Sequence, residues 1–550
     1  MINGEILKQA VISGAHNISV QKNHINDLNI FPVPDGDTGT NMSMTIMAAA
    51  KALEDYDGTN AGEVAEMTAS SMLRGARGNS GVITSILFRG FAQGLKGMEE
   101  VNGKNIAAAL GIGVEAAYKA VMKPTEGTIL TVARMAYEAG IEAAKHDTSA
   151  LHVWQTITDA ANDALSITPE LLPVLKKAGV VDAGGKGLCS IFEGMLSYIK
   201  DGVVVEYDET NEPTIETFDS AAAEFDDDIE FTYCTEFIVG RDPEIETDPE
   251  ELRDFLKTIG DCVVVVNDDE IIKVHVHTEV PGNALSKGME FGQLLTVKVE
   301  NMKEQHKNAK AANKKPKKAQ KETFTPAEPT EQYGFVAVAA GEGMKNLVKD
   351  LGCTNVVSGG QSMNPSTDDI YEAILATPAK NVLVLPNNKN IVLAAEQTVP
   401  MVTDRTVTIV PTRTIPQGMT ALLNFDPEIS AESNAQLMMD AAHNVGTGLV
   451  TFAARNSEFG GKKIKEGDII ALENGKLTIT EKNAVKALVK LAKNMVKRDT
   501  SFITLIYGED VSEDDANKAY EELRDKFGSR TDISLVKGDQ PIYYFILSVE

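Results

Sequence analysis

Cysteine is scarce in this chain: Cys189, Cys234, Cys262 and Cys353 are the four, scattered through 550 residues. That scatter excludes a disulfide framework and suits a reducing cytosol. Long apolar runs are missing as well, since no stretch approaches the ~18 uninterrupted apolar residues of a membrane-spanning helix. The N-terminus, MINGEILKQAVISGAHNISV, shows helical periodicity where a signal peptide would carry a basic end and a pure apolar run. A cytoplasmic location is therefore expected. Positive charge is in deficit, with 52 Lys and Arg against 80 Asp and Glu and a formal net charge of -28. Such a balance lacks the basic footprint of nonspecific nucleic-acid binding. A Walker A sequence is also absent: in GGKG at 184–187, Gly187 stands where Ser or Thr should follow the lysine. Any nucleotide site here is not of the P-loop kind.

What is present is ordinary globular material, 43% hydrophobic and 24% charged, long enough for roughly three or four domains. Residues 1–203 read as helical throughout, with alanine-rich stretches such as GKNIAAALGIGVEAAYKAVM carrying apolar residues at helical spacing. Residues 204–229 are acidic, poorly periodic and read as a linker. From 230 to 306, FTYCTEFIVG, CVVVVND and IIKVHVHTEV read as strands, with a helix at DPEELRDFLKTIG, giving a small α/β module. The lysine-rich, proline-bearing segment 307–331 reads as a second linker, and the lack of interleaved aromatics argues against a nucleic-acid patch. In 332–550 strands and helices alternate, which predicts a parallel sheet with helices packed on it. Near the end DIIALENGKLTI reads as a hairpin turning at Asn474-Gly475.

Glycine-rich breaks punctuate the helices of the first domain: PDGDTGT, RGARGNSG, PTEGT and DAGGKG. In NIFPVPDGDTGTNM (29–42), Asp35 and Asp37 flank Gly36, a spacing that can turn both carboxylates toward one hard divalent cation. Thr38-Gly39-Thr40-Asn41 then opens a helix, whose first N–H groups and dipole end form a ready anion site. The alternative is that the aspartates merely make an Asx turn and a helix cap. An EF-hand is excluded, because Gly39 fills the third ligand position and Ile46 the twelfth. The second loop, 74–81, exposes backbone N–H groups at Gly75, Gly78 and Gly81 and adds Asn79 and Ser80. Arg74 and Arg77 could offset phosphate charge there. Two such loops opening helices point to a phosphate cradle built from several helix ends.

Taken together, LNIFPVPDGDTGTNM, GARGNSGVI, KPTEGTILTVA and GVVDAGGKGL resemble the nucleotide-binding domain of the dihydroxyacetone kinase family. Their order and the chain beyond them resemble more closely the ATP-binding subunit of bacterial fatty acid kinases, over essentially all 550 residues. The resemblance implies a multidomain protein: an N-terminal all-α eight-helix barrel, a small α/β middle domain and an α/β C-terminal domain. It implies ATP with two magnesium ions held by Asp35 and Asp37, and phosphate contacts from Thr38, Thr40, Asn41, Asn79, Ser80 and Gly81. Gly127 and Thr128 would lie near the adenine, and Asp182 to Gly185, with Gly184 among them, would close the site. The glycerone-kinase relatives carry a third aspartate where this chain has Ile30; Asn29 is the expected substitute, ahead of Asp27. The implied reaction moves the ATP γ-phosphoryl group to a fatty acid carboxylate carried by a separate fatty-acid-binding protein, giving an acyl phosphate for phospholipid synthesis. A homodimer is implied too.

In the middle module, His275 and His277 share one face of a strand, and Cys234 lies on another strand. Two imidazoles and a thiolate leave a zinc ion an open fourth position, whereas the plainer alternative is two half-buried histidines hydrogen-bonded in a sheet. The resemblance implies zinc at Cys234, His275 and His277; Cys262, in an apolar run, is the rival ligand. In the last domain VVSGGQSMNPSTDD reads as a strand, a glycine turn and a Ser366/Thr367 cap with Asp369 in the first turn. LPNNKN and PTRTIPQG are polar loops after strands, where open α/β sheets bind ligands, and by resemblance this region receives the fatty-acid-binding protein. Two further functions compete with the leading one. A dihydroxyacetone-type kinase would need a separate sugar-binding module, and none is recognisable. A nonenzymatic ATP- or lipid-sensing scaffold would not need the aspartate pair.

Overall fold

A computed structural model describes residues 1–29, 36–121, 123–207, 232–241, 249–267, 271–301, 324–360, 364–454, 457–459 and 462–550, together with 245 and 247. The chain forms two compact units. One joins residues 1–207 to 322–550, and the other comprises 208–321.

The first unit begins with a two-stranded antiparallel pair, β1 (Ile2–Asn3) and β2 (Glu100–Val101). Its helices are α1 (Gly4–Asp27), α2 (Thr38–Glu54), α3 (Ala61–Gly75), α4 (Gly78–Leu95), α5 (Gly103–Ala120), α6 (Ile129–His146), α7 (Ala150–Leu171), α8 (Pro173–Ala178) and α9 (Ala183–Asp201). Short polar residues start many of them. Asn3 accepts from the Ile6 N–H at 3.0 Å, and Asn102 and Asn105 form a reciprocal capping box. From α1 to α7 each helix packs on the next, and α9 packs on both α7 and α1. Neighbours joined by short connections run antiparallel, so α2, α4, α6 and α9 all start at one end.

Small residues set the spacing of these helices. A Cβ on Gly90 of α4 would lie 2.5 Å from the Gly113 Cα of α5, so the two backbones meet directly. At the centre the Trp154 ring packs edge-on against Phe91 and Phe192 at 6.3 and 5.5 Å, and its Nε1–H donates to the Phe192 carbonyl. Cys189 in α9 and Cys353 are buried free thiols, each pushed up to about 12 by burial. Thiols so far from ionising are packing groups.

The second unit carries β3 (Tyr233–Arg241), α10 (Pro249–Ile259), β4 (Gly260–Asn267), β5 (Ile271–Thr278), α11 (Pro281–Gly288) and β6 (Gly292–Asn301). The strands form one antiparallel sheet in the order β4-β5-β3-β6. Phe237, Val239, Ile272, Val274 and Val276 on one face share a core with Leu252 and Leu256 of α10. Alternation therefore places Cys234, His275 and His277 on the other face, and the register sets Cys234 opposite His277.

The chain then returns to the first unit. β7 (Glu331–Ala339), α12 (Glu342–Asp350), β8 (Asn355–Ser358), α13 (Thr367–Leu375), β9 (Ala379–Leu385), α14 (Val392–Thr398) and β10 (Thr406–Ile409) alternate. The four strands make an all-parallel sheet ordered β10-β9-β7-β8, the sheet that alternation predicts. After α15 (Ile415–Leu423) and α16 (Ala431–His443) come β11 (Gly446–Phe452), β12 (Ser457–Phe459), β13 (Lys462–Ile464), β14 (Ile469–Glu473) and β15 (Lys476–Glu481). The β14–β15 turn has Asn474 and Gly475 at φ 49° and 79°, the two positive values a type I′ turn requires. α17 (Ala484–Met495), β16 (Phe502–Tyr507), α18 (Glu513–Phe527), β17 (Asp532–Lys537) and β18 (Phe545–Val549) complete a second sheet, ordered β15-β14-β11-β18-β16-β17.

One apolar core runs without interruption from the helices into the parallel sheet, taking in Val336, Val357, Ile370, Ile374 and Ala394. α13 packs on α3 and α14 on α4. Among the described residues no helix is long and apolar enough to cross a membrane.

Candidate nucleotide site

The common starting end of α2, α4, α6 and α9 opens into a cavity of about 790 Å³. Asp37, Thr38 and Asn41 line it from α2, Asn79 and Ser80 from α4, Thr128 from α6, and Asp182 and Gly184 from α9. The positive dipole ends of four helices thus face one space, the electrostatic setting a polyphosphate requires. The opposite wall is built from the carboxyl ends of the parallel strands. It includes Ala339 at the end of β7, Gly359 and Gly360 after β8, Asn387 to Asn390 after β9, and Arg413 and Thr414 after β10. Open parallel sheets bind ligands at that edge. Asp37 and Asp182 are the titratable lining residues on the helical wall, and Lys389, Arg413 and Tyr543 those across from it, among the described residues.

At α2 the backbone leaves Asp37 in the N-cap position, yet its side chain makes no capping bond. Asn26, near the end of α1, does that work: its Oδ1 accepts from the Gly39 and Thr40 N–H groups at 2.8 and 3.2 Å. The cap interpretation of Asp37 therefore does not describe the structure. The carboxylate Oδ2 instead accepts from Asn364 Nδ2 at 2.5 Å. Thr40 turns away from the cavity, its Oγ1 accepting from Asn26 Nδ2. Asn29 lines the cavity and braces the same turn, its Oδ1 accepting from the Thr38 hydroxyl at 2.9 Å while Nδ2 donates to the Asn26 carbonyl. Asp27, the other residue weighed as substitute, ends α1 and is exposed. Asp35 lies outside the described residues.

At α4, Gly78 has φ +56°, and a Cβ there would collide with the Asn41 amide. Only glycine lets the loop turn this close to α2. Gly81 faces the Thr45 side chain of α2 and not the cavity. The flanking arginines reach away from the phosphate end. Arg77 Nη1 donates to the Asn364 carbonyl at 2.7 Å and its Nη2 lies 3.7 Å from Asp369 Oδ2, while Arg74 pairs with Asp368 at 3.4 Å. They hold the C-terminal sheet to the helices, aided by Thr367 N–H donating to the Ala76 carbonyl at 3.1 Å. Ser366 and Asp369 form the capping box of α13, as their spacing suggests.

At α6, Thr128 is the N-cap, and the Gly127 N–H donates to Thr131 Oγ1 at 2.8 Å. The Thr131 hydroxyl and Arg134 hold the Glu126 carboxyl below its usual range. Gly127 itself does not line the cavity; Thr128 does. At α9, Asp182 accepts from the Gly185 N–H at 2.7 Å. Burial pushes its carboxyl up to about 6, against the opposing pull of the Gly185 and Ile129 N–H groups.

Two neighbouring asparagines escape a motif-based reading of the sequence. Asn26 lies in the last turn of α1, 13 residues before the Gly39 whose N–H it accepts from, so it caps α2 from a neighbouring helix and no local capping signal announces it. Asn364 stands 327 residues from Asp37, and no local signal announces the pairing.

Among the described residues no group of three or more His, Cys, Asp or Glu could hold a metal ion. The side chains of Cys234 and His275 lie outside the described set. Around Asp37 the polar donors are oxygens and amides, the set that suits magnesium.

Three family models match the chain. The DAK2 domain matches residues 32–197, the FakA-like middle domain of fatty acid kinases 230–309, and the FakA-like C-terminal domain of the same kinases 334–550. Protein YloV of Bacillus subtilis (strain 168) is 41% identical over 557 residues, spanning 100% of this chain and 99% of its own. An uncharacterized protein of Staphylococcus haemolyticus (strain JCSC1435) is 38% identical over 554 residues, with the same two shares. Among solved structures, the DegV family protein Cg2579 from Corynebacterium glutamicum aligns with 40% of this chain and 96% of its own, at 16% identity and a TM-score of 0.31. A helical kinase-type domain, a middle module and an α/β C-terminal half thus follow one another in the order of a single lineage, and the chain belongs to the FakA-like family of fatty acid kinase proteins.

Proposed function

We propose that the chain is the ATP-binding kinase subunit of a fatty acid kinase, with ATP and magnesium at the cavity where α2, α4, α6 and α9 begin. The observation that carries this reading is the convergence of four helix N-termini on one space beside an Asp37 side chain that caps no helix. The eight long helices would then close as a barrel of the dihydroxyacetone kinase type, with the phosphates at its mouth. Magnesium, when bound, would neutralise and align the phosphate oxygens. Asp37 would hold it with Asp35, and Asn29 would brace the turn that positions them. Backbone N–H groups at Thr38, Asn79, Ser80 and Gly184 would orient the γ-phosphoryl group. Thr128 would lie near the base, and Asp182 would keep the α6 and α9 starts together.

Phosphoryl transfer asks little covalent help of a protein, so a site built from helix ends and short polar side chains suits it. The acceptor on this reading is a fatty acid carboxylate brought by a separate fatty-acid-binding protein, and the product is an acyl phosphate. In the middle module the shared sheet face of Cys234, His275 and His277 supports a zinc site, which metal analysis of the purified protein would test.

ADP release measures the main reading. The protein is mixed with ATP, magnesium and either oleate loaded on a fatty-acid-binding protein or dihydroxyacetone. Release only with the loaded binding protein is expected. Release with dihydroxyacetone alone would make the chain a glycerone-type kinase, and release with neither would make it a scaffold.

A further inference from the structure

Asp37 belongs to the helical part of the first unit, yet the group that meets its carboxylate belongs to the C-terminal part. Asn364 is only 2% exposed, and its Nδ2 donates to Asp37 Oδ2 at 2.5 Å, at the short edge for an N–H···O bond. Its Oδ1 is equally buried and has no hydrogen-bond partner among the described residues. A buried carbonyl oxygen left unpaired costs about 1–3 kcal/mol, so on that side the amide has no bond to lose by turning over.

The backbone cannot easily carry this side chain elsewhere. The Asn364 carbonyl accepts from Arg77 Nη1 at 2.7 Å. Two residues on, Ser366 pairs with Arg77 as a β-bridge and is locked in its capping box with Asp369. Turning the amide about its last torsion exchanges the two terminal atoms and moves nothing else. In that orientation the oxygen faces Asp37 and adds a neutral ligand of the type that hard cations accept alongside carboxylates.

We infer that Asn364 is a cation-shell residue of the kinase site, supplied by the C-terminal half: with a divalent ion on Asp37, its amide presents Oδ1 to that ion or to a water on it. The inference rests on the kinase reading above and gives that reading a residue from the far end of the chain. It also couples the two walls of the cavity, because the ion is fully surrounded only while the parallel sheet stays docked on α3 and α4.

Binding of Mn2+ with a non-hydrolysable ATP analogue to the full chain, followed by electron paramagnetic resonance, tests it without any turnover. Asn364→Ala should weaken Mn2+ by about 10-fold or more, the usual size for losing a shell residue. Asn364→Asp keeps an oxygen ligand and should bind Mn2+ at least as tightly as the wild type. Its like charge beside Asp37 should lower the melting temperature without Mn2+ and make the Mn2+-induced rise larger than in the wild type. Unchanged or tighter binding by Asn364→Ala overturns the inference, tighter binding meaning that the amide only competes with the ion. If Asn364→Ala does not fold, a Mn2+-induced rise in Asn364→Asp no larger than in the wild type overturns it instead. Wild-type protein that binds no Mn2+ with the analogue fells the kinase reading as well, whereas normal wild-type binding with indifferent variants fells this inference alone.

Discussion

Asp37 and Asp182 occupy the same position, the N-cap of a helix that opens on the same cavity, and they do opposite things. Asp182 caps its helix in the ordinary way, accepting from the Gly185 N–H, and is buried enough that its carboxyl rises to about 6. Asp37 caps nothing, because Asn26 has taken the N–H groups of α2. Residue type and position are therefore insufficient to assign a role. What separates the two is whether a neighbour relieves the carboxylate of its structural duty. Where that happens the carboxylate turns to a partner outside its own helix, Asn364 for Asp37; where it does not, the charge serves the helix and is itself partly suppressed.

The comparison can be broken at either aspartate. Asp37→Asn should reduce ADP release with loaded fatty-acid-binding protein by about 100-fold or more, the scale of losing one electrostatic element of such a site. Its melting temperature should hardly move, since the side chain caps no helix. A full loss of fold in this variant would erase the distinction between the two residues. Asp182→Asn should do the reverse. The Asp182 carboxyl titrates near 6 in the folded protein against an ordinary 3.8, so the folded state binds the proton more tightly. Its contribution to stability is fully present below about pH 4 and falls as pH rises through 6. Asparagine caps equally well and carries no charge, so the variant should gain about 2–3 kcal/mol at pH 7 and nothing near pH 4, read by urea unfolding at both pH values.

Arg77→Ala should cost about 2 kcal/mol, because a buried guanidinium that donates to the Asn364 carbonyl and faces Asp369 is removed. Urea melts of the full chain would register it, and nucleotide affinity should fall with it if Asn364 loses its anchor. The smallest effect is the most discriminating. Asn26→Ala should cost about 1 kcal/mol, the value of a helix cap. It should also let Asp37 swing back onto the vacant N–H groups and so convert it into a second Asp182, with weaker Mn2+ binding as the sign.

Much of this was legible in the chain itself. Alternating strands and helices from residue 332 announced the parallel sheet, and Asn474-Gly475 announced the β14–β15 hairpin of the second sheet, because those signals are local in the chain. The four glycine breaks marked the helix starts that meet at the cavity for the same reason. What stayed hidden depends on distant pairing. Nothing near Arg74 and Arg77 shows that Asp368 and Asp369 will claim them, so they read as phosphate partners. Nothing near β11 shows that it will lie between β14 and β18 and not join the parallel sheet. The contacts of Gly81 with Thr45 and of Gly127 with Leu172 and Thr168 belong to packing against neighbouring helices, which is visible only once the neighbour is in place.

The core shared by the helices and the parallel sheet has a consequence for synthesis. Arg77 leaves the ribosome 287 residues before the Asn364 it will bind. At bacterial elongation rates of about 5–20 residues per second, that is a delay of roughly 15–60 s. Through that interval the nascent helices must hold the outer faces of α3 and α4 uncovered while the whole middle unit is made. The mouth of the cavity is finished only when the last third of the polypeptide arrives to roof it.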